Sequence, residues 1–173
     1  NAHRAVYHAL ALNGLRPVYA LPAMDESFGI AGSLSPDAVE QALAAHPDVR
    51  LVIVTSPTYD GVLSDIPALA ATAHRHGALL LVDEAHGAHL GLAEGFPPSA
   101  VTGGADVVVQ SVHKTLPSLT QTALLHVASD RVDADEVARQ LAIFQTSSPS
   151  YPLMASIAAC VARLKAERVP LFA

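Results

Sequence analysis

Basic residues are scarce in this 173-residue sequence: ten Lys and Arg stand against sixteen Asp and Glu, the net charge is −6, and no basic run occurs. A nucleic-acid partner or an anionic membrane surface would find little to bind. Cysteine is scarcer still. Cys160 alone has no partner for an internal disulfide, and its apolar helical setting (Ala158, Ala159, Val161, Ala162) marks it as a core thiol rather than a nucleophile. No apolar run approaches the roughly 18 residues of a membrane span, and the first residues do not resemble a signal peptide, so no membrane partner and a cytoplasmic location are expected. The sequence opens without methionine, at Asn1-Ala2-His3-Arg4, and closes on Val169-Pro170-Leu171-Phe172-Ala173. It reads as one domain, cut at both ends, of a longer protein.

Apolar residues, by contrast, are abundant. At 51% of the chain they exceed what a free-standing monomer of this size needs, which implies that a partner or further chain covers some of them.

Their spacing lays out the elements. Ala2 to Leu12 places Ala5, Val6, Ala9, Leu10 and Leu12 on one helical face and stops at Asn13-Gly14. Arg16 to Leu21 reads as a short strand, and Pro22 to Ser35 as a connection without periodicity. Ser35-Pro36 caps a helix carried by Ala38, Val39, Ala42 and Leu43 to about His46. Leu51 to Val54 is a buried strand, Thr58-Tyr59-Asp60-Gly61 a turn, and Ser64-Asp65 opens a helix through Ile66, Leu69, Ala70 and Ala73 to Gly77. Strand Leu79 to Val82 follows directly. Strand, helix and strand within about thirty residues predict a parallel βαβ unit. Beyond a long Gly- and Pro-rich segment, Glu84 to Gly104, come strands at Asp106 to Gln110 and Thr122 to Val127, then helices at Asp133 to Phe144 and Tyr151 to Glu167. The fold class expected is α/β, a three-layer sandwich around a mostly parallel sheet.

Two stretches carry the ionisable groups: Val82-Asp83-Glu84-Ala85-His86-Gly87-Ala88-His89 and Ser111-Val112-His113-Lys114-Thr115. Each follows an apolar β-run at once, the pattern of buried strands that deliver chemistry at their C-terminal ends. A lysine so placed can attack a carbonyl to form a Schiff base, or it can be a solvated surface lysine. A carboxylate so placed needs a cation or a strong donor, and a protonated pyridine nitrogen, a helix cap or a magnesium ligand would each satisfy Asp83. His86 and His89 with Glu84 suggest a metal, but zinc needs three or four convergent ligands and no cysteine or second tight cluster is present. Asp83-Glu84-Ala85-His86 also matches the Walker-B string of helicases. That reading requires an upstream Gly-x4-Gly-Lys-Ser/Thr loop, absent here.

Taken together, Ser56-Pro57-Thr58-Tyr59-Asp60-Gly61, Val82 to His89, Gly104 to Pro117, Gln121-Thr122 and Ser147-Ser148-Pro149-Ser150-Tyr151 resemble the large domain of the Orn/Lys/Arg decarboxylases, fold-type-I pyridoxal-phosphate enzymes. The resemblance covers essentially the whole chain, in order. It implies that Lys114 forms the Schiff base with pyridoxal 5′-phosphate and that Asp83 partners the pyridinium nitrogen. His86 would lie near the phenolic oxygen and Ala85 against the ring, with Ser111 and His113 at the phosphate and His113 also within reach of the reacting carbon. His3 would stack on the ring's other face. The implied reaction removes the carboxylate of ornithine, lysine or arginine, with Lys114 or His113 returning a proton to Cα. Another fold-type-I activity, an aminotransferase or aldolase, and a catalytically silent scaffold are the alternatives. The family's Gly/Ser/Thr-rich phosphate loop and smaller C-terminal domain have no counterpart in these residues, so the isolated chain is expected to bind the cofactor weakly and to be inactive. A homodimer or higher homo-oligomer is the expected assembly.

Overall fold

The computed structural model describes residues 2–172. At its centre lies a four-stranded sheet in the order β3-β4-β5-β6, made of β3 (Leu51–Thr55), β4 (Leu79–Asp83), β5 (Val107–Gln110) and β6 (Leu124–Val127). The first three strands run parallel and β6 runs antiparallel to β5, so the sheet is mostly parallel, as the βαβ spacing requires. Leu81 pairs with Ile53 on one side and Val107 on the other, which sets Thr55, Asp83 and Val109 side by side at the strand ends.

The helices follow their caps. Ser35 accepts from the Ala38 N–H at the start of α2 (Pro36–Ala45), and Asp65 accepts from the Ala68 N–H at the start of α3 (Ile66–Arg75). Val39 and Leu43 of α2, and Ile66, Leu69, Ala70 and Ala73 of α3, are buried against Val54, Leu80, Val82 and Val108. That is the core. It fills one face of the sheet, the face of the even-numbered residues of β4. The opposite face, with Leu51, Ile53, Leu79, Leu81 and Val109, is only partly covered among the described residues.

Two expectations need correction. Arg16 to Leu21 forms no strand: it finds no ladder partner, and Val18, Tyr19 and Leu21 are exposed. The segment after it is not a featureless connection. β1 (Met24–Asp25) and β2 (Ile30–Ala31) form a small antiparallel hairpin. Its turn is closed by the Asp25 carboxylate accepting from the Ser27 and Phe28 N–H groups, with Gly29 at φ +66°. A local side-chain bond built this hairpin, which periodicity cannot reveal. α1 (Arg4–Leu12) forms as expected but buries no residue, and Leu12 is exposed. After β5 come the one-turn α4 (Val112–Thr115), then α5 (Ala134–Phe144) and α6 (Tyr151–Leu171), whose regular geometry breaks at Glu167. Cys160 of α6 is buried, and its burial raises the thiol's pKa, as befits a core thiol.

One buried charge fixes the sheet's N-terminal end. Asp106, fully buried just before β5, accepts from the Leu80 N–H (2.7 Å), from His74 Nε2 (2.8 Å) and from the Ser129 hydroxyl (2.5 Å). Burial alone would raise its pKa. The bonds from Ser129, Leu80 and His74, with the charge of His74, outweigh that and hold it below the ordinary aspartate value. One carboxylate thus ties β4, α3 and the end of β6 to the start of β5. Asp106→Asn is expected to lower the unfolding free energy by on the order of 2–3 kcal/mol, read from urea midpoints at neutral pH. Because the folded-state pKa is depressed, the wild-type advantage is present above the ordinary aspartate value and disappears as pH falls through the lower folded one. Equal midpoints at neutral pH would show the cluster to be dispensable.

Candidate active site

Strand alternation decides where the two acids at the end of β4 go. Asp83 faces the partly covered side and Glu84 the core side, where it is 1% exposed. Glu84 has no cation. Its carboxylate accepts from the Ala100 N–H (2.7 Å), the Ser99 hydroxyl (2.7 Å) and Gln110 Nε2 (2.6 Å), while its own N–H donates to the Val109 carbonyl. The Glu84 carbonyl then accepts from the Gly87 N–H (2.9 Å), closing the turn that carries Ala85 and His86. Gly87 has no space for a side chain: a Cβ there would lie 2.7 Å from both Glu84 Cγ and Pro57 Cδ. These partners take Glu84 out of any metal or Walker-B arrangement, since the two acids face opposite sides of the strand. His89 packs edge-on against Phe96 instead of converging with His86.

On the other side of β4, the residues singled out in the sequence come together. Asp83 accepts from the Ala85 N–H through Oδ1 (3.1 Å), and Oδ2 makes no hydrogen bond among the described residues. Lys114, exposed at the end of β5 on α4, places Nζ 3.1 Å from His86 Nε2. An ammonium only donates, so His86 accepts through Nε2 and carries its proton on Nδ1, a buried atom that makes no well-formed hydrogen bond among the described residues and only a weak approach to the Pro57 carbonyl. Desolvation, then the charge of Lys114, lower the His86 pKa, while the Asp83 carboxylate and the Pro57 carbonyl pull it partly back. His86 therefore sits within the fields of both Asp83 and Lys114 and stays neutral through physiological pH.

His113 is oriented by the segment leading into β6 rather than by its neighbours in sequence. Its Nδ1 lies 2.8 Å from the carbonyl of the buried Thr122, so Nδ1–H donates there and Nε2 is the ring nitrogen left to face the site. Thr122 is in turn held by the 118–119 turn, and Ser118 and the Leu119 N–H both reach Ser156 of α6. Ser111 precedes α4 without a side-chain cap bond, which leaves its hydroxyl uncommitted. His3 stands apart. Its ring is exposed, and Nδ1 accepts from the Ala5 N–H as the cap of α1. Three participants were not singled out from the sequence: Glu84 as a bracket, Thr122 as the anchor of His113, and Tyr59, whose ring meets His86 edge-on at 5.7 Å. The only signal for Glu84 was a charge directly after a buried strand.

The arrangement fits a pyridoxal-phosphate site in its donor set. It offers an accessible lysine amine, a carboxylate oxygen free to accept from a pyridinium N–H, and a buried imidazole nitrogen with an unmet bond.

Comparison with known proteins agrees with this chemistry. The family model for the Orn/Lys/Arg decarboxylase major domain matches residues 1–169. The uncharacterised protein YaaO of Bacillus subtilis is 46% identical over 158 residues, 91% of this chain and 33% of that protein. An arginine decarboxylase of the same organism is 36% identical over 167 residues, 96% of this chain and 34% of that protein. The chain thus spans about a third of the length of these curated relatives. Among solved structures, Oryza sativa TDC with PLP and tryptamine superposes with a TM-score of 0.61 at 24% identity, over 73% of this chain and 28% of that one, a likeness of fold.

Two outcomes test the geometry. Replacing Lys114 by Met removes a positive charge beside His86, so the His86 pKa rises, which an NMR titration of its ring resonances reads; an unchanged titration would place the two side chains apart in solution. Gly87→Ala forces a contact against the Glu84 and Pro57 side chains and is expected to cost about 1–3 kcal/mol, read from denaturation midpoints.

Proposed function

The chain belongs to the Orn/Lys/Arg decarboxylase family, and from that premise we propose that the protein carrying it decarboxylates a basic amino acid, arginine, lysine or ornithine, with pyridoxal 5′-phosphate as cofactor. The observation that carries this reading is the convergence of Lys114, His86 and Asp83 at the C-terminal ends of β4 and β5. Pyridoxal 5′-phosphate, when bound, supplies an aldehyde that captures amines and a ring that accepts the electrons released when a bond at Cα breaks.

The chain's own residues divide the remaining work. Lys114 Nζ would supply the amine that holds the aldehyde, giving up its contact with His86 Nε2. Asp83 Oδ2 accepts from the ring nitrogen and keeps that nitrogen protonated. His86, neutral and fixed by the turn, presents its imidazole beside the ring without adding a competing positive charge. Ala85 would pack on the ring and Ser111 and His113 would reach the phosphate, while His3, held as the cap of α1, would have to leave that cap to cover the opposite ring face. Carbon dioxide leaves as the bond from Cα to its carboxylate breaks. Lys114 Nζ or His113 Nε2 then returns one proton to Cα. Because Nδ1 of His113 is engaged by Thr122, Nε2 is the nitrogen available for that transfer.

Substrate choice, assembly and location are part of the same proposal. The acidic balance of the chain suits a cationic amino acid better than an anionic one. Exposed Leu12, Leu15, Leu21, Phe28, Phe144 and Tyr151 offer apolar surface for the rest of the protein and for a second copy of it. A cytoplasmic location accords with the free thiol, and no helix among the described residues is long and apolar enough to cross a membrane.

The test is product analysis. The protein carrying this chain, supplied with pyridoxal 5′-phosphate, is expected to release carbon dioxide from one of L-arginine, L-lysine or L-ornithine and to yield the corresponding amine. Lys114→Ala abolishes turnover, and borohydride fixes cofactor mass on Lys114 in the unsubstituted protein only. Residues 1–173 alone are expected to show neither turnover nor reduction-stable cofactor. A transaminated product would overturn the reaction assigned, and cofactor fixed elsewhere would overturn the role of Lys114.

A further inference from the structure

Glu84 is the most expensive side chain in the site region and has no role in the chemistry just described. It is ionisable, 1% exposed, and bonded only to neutral donors. Gln110, one of those donors, is itself buried and has a second partner: its Oε1 lies 3.0 Å from His126 Nε2 on β6. A carboxylate accepts and cannot donate, so Gln110 must turn its amide nitrogen toward Glu84 and its oxygen toward His126. His126 must then donate, with its proton on Nε2. Each step leaves no freedom to the next.

We propose that Glu84 is a positioning residue of the cofactor site, acting from the core face of the sheet through a hydrogen-bond chain of fixed polarity, from His126 to Gln110 to Glu84. The proposal rests on the reading of Asp83 and His86 as cofactor residues. The physical argument is one of leverage. Asp83 and Glu84 are consecutive, and the Glu84 carbonyl closes the turn that bears His86. Fixing the Glu84 carboxylate at three points fixes the backbone from which both site residues project. Ser99 and Ala100 tie it to the far end of the 84–104 loop, while Gln110 and His126 tie it to β5 and β6, the strands that support Lys114 and His113. The chain thus holds the two halves of the site in one register.

The polarity gives the proposal its own test, independent of turnover. In Glu84→Gln, the new amide must keep its oxygen on the Ala100 N–H, which turns its nitrogen toward Gln110. Gln110 then inverts, and its nitrogen meets His126 Nε2, which becomes an acceptor. The double variant Glu84→Gln/Gln110→Glu moves the charge one step along. Gln at 84 then donates to Glu at 110, and His126 donates from Nε2 again.

Nitrogen-15 NMR of the histidine rings is expected to show the Nε2–H tautomer of His126 in the unsubstituted protein, Nδ1–H in Glu84→Gln, and Nε2–H restored in the double variant. Pyridoxal 5′-phosphate titration of the protein carrying this chain should weaken by about tenfold or more in Glu84→Gln and recover at least partly in the double variant, in proteins whose circular dichroism is unchanged. His126 as Nδ1–H in the unsubstituted protein would overturn the chain whatever the variants do, so the idea stays testable if Glu84→Gln fails to fold. A folded Glu84→Gln that binds the cofactor as tightly as the unsubstituted protein would overturn the positioning role. Absence of cofactor binding in the unsubstituted protein would instead overturn the functional reading and the positioning role together, leaving the tautomer result to stand on its own.

Discussion

A carboxylate buried in the core is the constraint on which the rest of this structure depends. Such a group is costly unless every lone pair facing the protein is met by a donor. Among the described residues there are two, Glu84 and Asp106, one at each end of the β4–β5 pair. Each gathers three donors from segments distant in sequence: Ser99, Ala100 and Gln110 for the first, Leu80, His74 and Ser129 for the second. The hydrogen bonds of the sheet fix strand spacing, but these clusters also fix what enters and leaves the strands. The long 84–104 segment is a case in point. It has little regular structure, yet its two ends are joined through Glu84, and Gly91 N–H to Pro97 O closes its middle.

Chemistry follows on the other side of the same strand. Since the core face takes Glu84, the adjacent Asp83 must face the less covered side, where a ligand can reach it. Lys114 arrives there from β5 by way of a single helical turn, and His86 lies between the two charges. The lysine and the imidazole satisfy each other, at 3.1 Å. That contact is only moderately strong, because one partner is neutral and Lys114 is exposed, so it gives way to a better partner. The second nitrogen of His86, buried and without a well-formed hydrogen bond among the described residues, is a cost to the folded chain that a better-placed acceptor would remove.

Much of this was legible in the sequence, for physical reasons that can be stated. The βαβ unit follows from apolar runs and caps: Ile66, Leu69, Ala70 and Ala73 were assigned to one helical face, and all four are buried. Asp83 and Lys114 stood out as candidates because each lies within a few residues of the C-terminal end of an apolar strand, although by themselves they read equally as a cap and a surface lysine. The hairpin at Met24–Ala31 was missed because its cause is an Asx turn, a feature of one side chain and two amides. The strand expected at Arg16 to Leu21 failed because a strand is a pairing, and β-prone residues do not supply a partner. Thr122 as the anchor of His113 was illegible for a related reason. Its carbonyl, not its side chain, makes the contact, and no residue type announces that.

The alternation of β4 also explains why the structural and chemical acids had to be neighbours. A site carboxylate must be reachable, whereas a carboxylate that locks a turn must be sealed from water, where its bonds are strongest. One strand end satisfies both demands if consecutive residues divide them. Leu80 and Val82 lie sealed beneath α3 on one face, with Glu84 continuing their line; Leu79 and Leu81 lie half-covered on the other, with Asp83 continuing theirs. The half-covered face is therefore not merely unfinished packing. Under the proposed function, an apolar surface leading to a carboxylate, a lysine and two histidines would be closed by further chain that also admits a small molecule. That requirement links the surplus of apolar residues in this chain to its chemistry.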